Sequence, residues 1–227
     1  MLPIGYQPLL EYLIRYLKQY EFDRVILAVG YLQEQIVRYF STGERLGVKL
    51  LYSFEKEPLD TGGALKAVQG NIGSDFIVLN GDVVFDTLDL DRLLYFHRTG
   101  GAVATVVLTR RPDASRYGIV QLRDEKTVAQ FVEKPKHGPT GESWVNAGIY
   151  MLSPTIFSSI PRRRKISLER NIFPKLAQDG KIIGYRYDGY WADLGTPDDY
   201  MQVQRDLMTG SFRPPISEYR NFQERLA

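Results

Sequence analysis

Through about the first 100 residues, short apolar runs alternate with stretches whose apolar residues recur at helical spacing, and this alternation constrains the fold more than any other feature. Leu9, Leu10, Leu13, Ile14 and Leu17 follow Pro8 at helical spacing, with proline suited to a first turn. Residues 24–29 read as a short buried strand closed by Gly30, and 33–40 as a helix with Ile36, Val37 and Phe40 on one face. A strand over 48–52 follows, then a polar loop over 55–63 that opens a helix over 64–69. The uninterrupted apolar run 76–79 suits a central parallel strand covered on both faces, and 90–98 is helical. Strand and helix in alternation predict an α/β fold with a doubly wound, mostly parallel central sheet.

The pattern changes in the second half. Residues 102–109, 118–122, 128–133 and 145–152 read as strands in quick succession with few helices between them, which predicts a more antiparallel half. A helix over 168–177, a strand over 182–187 and a helix over 197–208 that starts on Pro197 complete the reading. One domain over 1–208 is expected, with 209–227 as an arm or tail.

Composition removes several function classes. A net charge of +2 gives no global electrostatic case for nucleic acid. The absence of cysteine removes disulfides, a thiolate nucleophile and thiolate metal sites. With His97 and His137 the only histidines, any metal is expected to be oxygen-ligated. Glu11, Arg15 and Lys18 break the apolar start as no signal-peptide core would, and no run approaches ~18 apolar residues, so a cytoplasmic protein with no membrane partner is expected.

Several stretches could carry chemistry. The run 76–79 leads into Asn80-Gly81-Asp82, leaving Asp82 at a strand's carboxyl end, where open α/β sheets bind ligands. A carboxylate there can hold a divalent cation against a phosphorylated ligand, although a plain turn would look the same. Gly62 and Gly63 at a helix start would let bare N–H groups approach a ligand, yet the stretch is neither a P-loop nor a dinucleotide fingerprint. Glu133-Lys134-Pro135 ends a strand, and Lys134 could neutralise a phosphate or simply form an edge-strand ion pair. Asn146-Ala147-Gly148 inside an apolar strand marks either close approach of a ligand or backbone, or a bulge. Asp193, ahead of Gly195-Thr196-Pro197, is either a second carboxylate for one cation or part of a capping turn. The basic run 162–165 reads as a solvated loop.

In order and spacing, Leu-Asn-Gly-Asp (79–82), Glu-Lys-Pro (133–135), Asn-Ala-Gly-Ile-Tyr (146–150) and Trp-Ala-Asp-Leu-Gly-Thr-Pro (191–197) together resemble the sugar-1-phosphate nucleotidyltransferases, from Met1 to about residue 208. Ala114-Ser115-Arg116-Tyr117-Gly118 and Asp188-Gly189-Tyr190 look most like the branch that acts on mannose or heptose 1-phosphates with GTP. The resemblance implies a Rossmann-like fold and a Mg²⁺-dependent exchange in which a sugar 1-phosphate oxygen attacks the α-phosphate of a nucleoside triphosphate, giving an NDP-sugar and pyrophosphate. It implies that Asp82 and Asp193 share the cation and that Lys134 meets the sugar phosphate. Gly118, Glu133 and Asn146 would meet sugar hydroxyls. Thr61, Gly62 and Gly63 would lie against the nucleobase, with Glu55 and Gly81 also on the nucleotide side. Asp60 stands where many relatives carry glycine. A homo-oligomer is compatible with the resemblance. Alternatives are a non-catalytic sugar-nucleotide-binding regulatory subunit, and a uridylyl- or thymidylyltransferase of the same family. A glycosyltransferase is a third, but its usual Asp-x-Asp is absent from 80–82.

The front of the chain departs from the family pattern. The family normally opens with a strand, a glycine-rich loop containing Gly-Thr-Arg, and Pro-Lys-Pro-Met, whereas this chain begins Met1-Leu2-Pro3-Ile4-Gly5, resembling the family from that last methionine onward. The expectation is that about 25 residues of the functional chain precede Met1, by the usual lengths of a strand, loop and turn. The chain as it stands is expected to be poorly active.

Overall fold

A computed structural model describes residues 1–55, 57–135, 141–162 and 164–214. Most of the expected tail, part of the basic run and His137 lie outside the described residues. A small hairpin, β1 (Pro3–Ile4) with β2 (Gln7–Pro8), leads into α1 (Leu9–Gln19). The crossover β3 (Arg24–Val29), α2 (Gln33–Phe40), β4 (Lys49–Phe54) gives a parallel pair, as a strand–helix–strand unit should. Then come α3 (Asp60–Ala67), β5 (Phe76–Leu79), β6 (Val83–Phe85), α4 (Leu90–Gly100) and β7 (Ala104–Arg111). The chain continues through β8 (Gly118–Leu122), β9 (Val128–Glu133), β10 (Ser143–Leu152), α5 (Phe173–Gln178), β11 (Ile182–Arg186), β12 (Trp191–Asp193) and α6 (Pro197–Thr209). No helix among the described residues is long and apolar enough to cross a membrane.

The central sheet is mixed. Its path is β11-β7-β10-β8-β9, with β5 also paired to β10. β11 runs parallel to β7, while β10 is antiparallel to β7, β8 and β5. The strand expected to be central, parallel and covered on both faces, β5, is instead antiparallel to β10 and half-buried along its length. The reason is that its one strand partner among those described is a returning strand from the second half, not a neighbour in a βαβ unit.

Period-two alternation sorts the sheet's side chains between two cores. Val107, Ala147, Ile149 and Met151 face one that holds Leu9, Tyr12, Leu13 and Tyr16 of α1, Leu90 and Leu93 of α4, and all of β6. Val106, Leu108, Tyr150 and Leu152 face the other, with Phe173 and Leu176 of α5. The Tyr12 hydroxyl donates to the Phe85 carbonyl, fixing α1 on β6. His97 is a core residue, its Nδ1 within 2.8 Å of Thr105 Oγ1, and burial pushes its pKa below the ordinary value. β3 and β5 contribute to the same two cores: Val25, Ile77 and Leu79 pack on the first, Ile26, Phe76 and Val78 on the second. Among the described strands none bridges them, since β3 pairs with β4 and β5 with β10.

Candidate functional site

The site forms where one edge of β10 passes from one partner to another. β8 pairs with β10 at Val145, β5 pairs with it from Ile149 onward, and between them Asn146-Ala147-Gly148 bulges out of register with β7. Gly148 has φ +70°, and a Cβ there would lie 2.7 Å from the Asn80 amide nitrogen, so glycine is needed on both counts. The Asn80 N–H donates to the Gly148 carbonyl at 2.9 Å, closing the end of the fork. A cavity of about 310 Å³ opens here, walled by the ends of β5, β8, β9 and β12, the bulge, and the first turn of α3.

On one wall stand two carboxylates. β6 and β12 pair antiparallel with Asp193 opposite Val83, and Leu194 N–H donates to the Asp82 carbonyl at 2.8 Å, so residues more than 100 positions apart become neighbours. Asp82 opens onto the cavity and is exposed to solvent, with its carboxyl partly desolvated by the wall beside it. That desolvation raises its pKa, and the charge of Asp193 adds to the effect. Asp193 accepts a 2.8 Å hydrogen bond from the Tyr117 hydroxyl, which burial and this contact push up to about 12. Two carboxylates whose charges oppose each other suit a divalent cation, and an all-oxygen donor set suits Mg²⁺. Among the described residues no three His, Cys, Asp or Glu side chains gather to hold an ion alone, so ligand oxygens would have to complete its shell.

Two cationic side chains, Lys134 and Arg116, also line the cavity. Lys134 has φ +44° directly before Pro135, a strained setting for a lysine, held by its N–H to the Tyr117 carbonyl at 3.2 Å. Arg116 also lines the cavity and is tied to Asp199 at the start of α6, 2.6 Å at the shorter contact.

Glu133 and Asn146 bring further polar groups to the cavity. Glu133 lies so close to Gly118 that a Cβ there would fall 2.5 Å from its Oε2. That oxygen is packed against Gly118, buried and with no hydrogen-bond partner among the described residues. Burial raises the Glu133 pKa, and the charge of Glu169 raises it further. The Asn146 amide donates to the Tyr150 hydroxyl at 2.9 Å and accepts from the Gly148 N–H at 3.0 Å.

Of the residues singled out from sequence, Asp82, Lys134, Asp193, Thr61, Gly118, Glu133 and Asn146 line one cavity. Glu55, Gly62, Gly63 and Gly81 are not on its wall. The Glu55 carboxylate accepts from Leu59 N–H at 3.0 Å, closing its own loop. Gly62 and Gly63 sit inside α3 rather than ahead of it, and both N–H groups donate to the Ile166 carbonyl at 2.9 and 3.1 Å. Their missing side chains admit the 164–168 segment: a Cβ on Gly63 would fall 2.6 Å from the Arg164 carbonyl oxygen. These glycines therefore offer a ligand no free donors. Ser167, Glu169 and Arg170 line the cavity without having been marked from sequence. Ser167 caps a π-turn, Leu168–Ile172, by accepting from Arg170 N–H, and that turn carries Glu169 inward. The Ser-x-x-Arg stretch carried no cue beyond an ordinary helix start.

A family model described as nucleotidyl transferase matches residues 1–210. The mannose-1-phosphate guanylyltransferase of Mycobacterium tuberculosis is 37% identical over 213 residues, covering 92% of this chain and 58% of that protein. The D-glycero-alpha-D-manno-heptose 1-phosphate guanylyltransferase of Aneurinibacillus thermoaerophilus is 36% identical over 209 residues, covering 91% of this chain and 88% of the relative. The UTP–glucose-1-phosphate uridylyltransferase of Synechocystis is 34% identical over 224 residues, covering 92% and 58% respectively. This chain thus spans less than two thirds of the first and third relatives. The crystal structure of HddC from Yersinia pseudotuberculosis superposes with a TM-score of 0.77 at 29% identity, covering 91% of this chain and 88% of that one.

Proposed function

The chain belongs to the nucleotidyl transferase family, and we propose that it makes an NDP-sugar and pyrophosphate from a nucleoside triphosphate, GTP favoured, and a mannose- or heptose-type sugar 1-phosphate. The observation that carries this reading is the pairing of β6 with β12, which brings Asp82 and Asp193 together on a cavity that Lys134, Glu133 and Asn146 also line. In the reaction, an oxygen of the sugar 1-phosphate bonds to the α-phosphorus as the α-phosphorus–oxygen bond to pyrophosphate breaks. The attacking oxygen is already anionic, so no residue need remove a proton, and rate comes from alignment and charge neutralisation. Asp82 and Asp193 would hold Mg²⁺, which when bound neutralises phosphate charge. Lys134, fixed by its backbone bond to Tyr117, meets the sugar phosphate as a point charge. Glu133 and Asn146, both on the cavity wall, each take a sugar hydroxyl. Support for GTP and for mannose- or heptose-type sugars comes from the two guanylyltransferase relatives and the Arg-Tyr-Gly segment at 116–118. The Synechocystis relative supports UTP as a second reading for the base.

The test is pyrophosphate release with GTP, UTP and dTTP against a panel of sugar 1-phosphates, with and without Mg²⁺. Turnover with GTP and mannose or heptose 1-phosphate, lost on chelation, is the expected result. Equal turnover after chelation overturns the metal reading. Silence across the panel together with tight NDP-sugar binding would favour a regulatory subunit.

A further inference from the structure

Glu169 is the one carboxylate on the cavity wall that is both buried and saturated by hydroxyl donors. Its Oε2 accepts from Thr61 Oγ1 and from Ser167 Oγ, each at 2.6 Å, and its Oε1 accepts from the Tyr150 hydroxyl at 2.9 Å. Each donor is itself held. Thr61 Oγ1 accepts the Leu168 N–H at 2.9 Å, and the Tyr150 oxygen accepts from Asn146 Nδ2 at 2.9 Å. A continuous relay therefore runs Leu168, Thr61, Glu169, Tyr150, Asn146, Gly148, from the first turn of α3 to the bulge of β10.

Directionality makes the relay informative. A carboxylate only accepts, so Tyr150 must give its one hydrogen to Glu169 and take the Asn146 hydrogen bond on its lone pair. Burial, then the charge of Glu169, holds the Tyr150 phenol protonated well above its ordinary pKa, so this polarity persists over the working pH range. Asn146 must then turn its NH₂ toward Tyr150 and its carbonyl toward Gly148. One amide hydrogen and one carbonyl lone pair remain for the cavity, in a fixed order. Without Glu169, the tyrosine hydrogen could point at Asn146 and the amide could flip.

We infer that Glu169 is a positioning residue that fixes the Asn146 amide and the Thr61 hydroxyl in one orientation, so that the sugar hydroxyls and the nucleotide side of the cavity are read by a single preset pattern. This rests on the proposed nucleotidyl transfer for its kinetic consequence, but not for its geometry. A neutral amide at 169 would supply hydrogens of its own and could not accept from all three hydroxyls in the present arrangement.

The test uses Glu169→Gln and Tyr150→Phe in the full chain. If the wild type turns over, both variants should raise KM for the sugar 1-phosphate about tenfold with a smaller change in kcat. Glu169→Gln alone should also raise KM for the nucleotide, and Glu169→Asp should recover part of the loss. Lower thermal stability with both KM values unchanged overturns the inference. If the wild type turns over no substrate, the functional reading fails separately, and the side-chain amide resonances of Asn146 decide instead. Shifted and less protected Asn146 NH₂ signals in both variants support the relay, and signals identical to wild type overturn it.

Discussion

At the scale of single residues, the cavity holds charge that folding alone would not choose. Asp82 is partly desolvated and faces Asp193, and its pKa is raised by the first effect and then by the second. A carboxyl whose folded pKa exceeds its unfolded value contributes stability that is fully present below the ordinary value of 3.8 and is lost as pH rises through the folded value. Ionised Asp82 is therefore a small liability in metal-free protein at neutral pH, because its exposure to solvent screens the charge. Asp82→Asn is expected to raise the melting temperature of chelated protein slightly at pH 7, and the gain should vanish near pH 3. The same variant should lower pyrophosphate release by ~10²–10³, the usual size of losing one preorganised charge contact. A variant that is both less stable at pH 7 and fully active would remove Asp82 from the site. Lys134 at φ +44° fits the same pattern of strain gathered where a ligand would bind.

Elements are tied together by a different carboxylate. Glu11 of α1 is 1% exposed and accepts from Arg15 on its own helix, from Tyr39 on α2, and from both terminal nitrogens of Arg45 in the short turn before β4. Burial would raise its pKa, but these hydrogen bonds outweigh it and hold the carboxyl at about 2 against the ordinary 4.5. With a depressed folded pKa, the stabilisation is present above 4.5 and is lost as pH falls from there toward 2. Glu11→Gln should cost about 1–3 kcal/mol at pH 7, toward the low end because the arginines reach solvent. It should also flatten the acid limb of a pH–stability curve below 4.5, and an unchanged limb would assign that limb to other carboxylates. The elements themselves were mostly legible in the sequence, because period and punctuation act locally: α2, β8 and β9 have the bounds that their apolar spacing predicts. α3 was not, since a glycine pair reads as a turn until the 164–168 backbone is seen to need the space. The site was legible where a motif ends a strand, as at Asp82, Lys134 and Asp193. It was not legible at Glu169, because an acid one residue inside a helical pattern reads as surface, and a π-turn has no sequence period of its own.

Over the whole molecule, stability should be graded across the sheet rather than uniform. β10 is bonded to β7 on one side and to β8 and β5 on the other, and its side chains enter both cores. β3 and β5 are built differently. Alternate residues of β5 enter the same two cores, whereas β3 sends Leu27 and Val29 into a third cluster with Phe40 of α2 and Leu50 of β4. Each strand has a described strand partner on one side only. In a parallel pair such as β3 with β4, alternate amides donate to the neighbour and the remainder point to the other edge. Those remaining amides of β3 have no ladder among the described strands, and Val25, Ile26 and all of β5 are only half-buried. Opening free energies should therefore fall from the β7–β10 centre toward the β3–β4 pair. Amide hydrogen exchange is the measurement: β10 and β7 should exchange through global unfolding, β3 should alternate between protected and fast amides, and β3–β4 should open as a unit before the sheet does. Uniformly high protection along β3 would contradict this and would mean that its second edge is covered in solution.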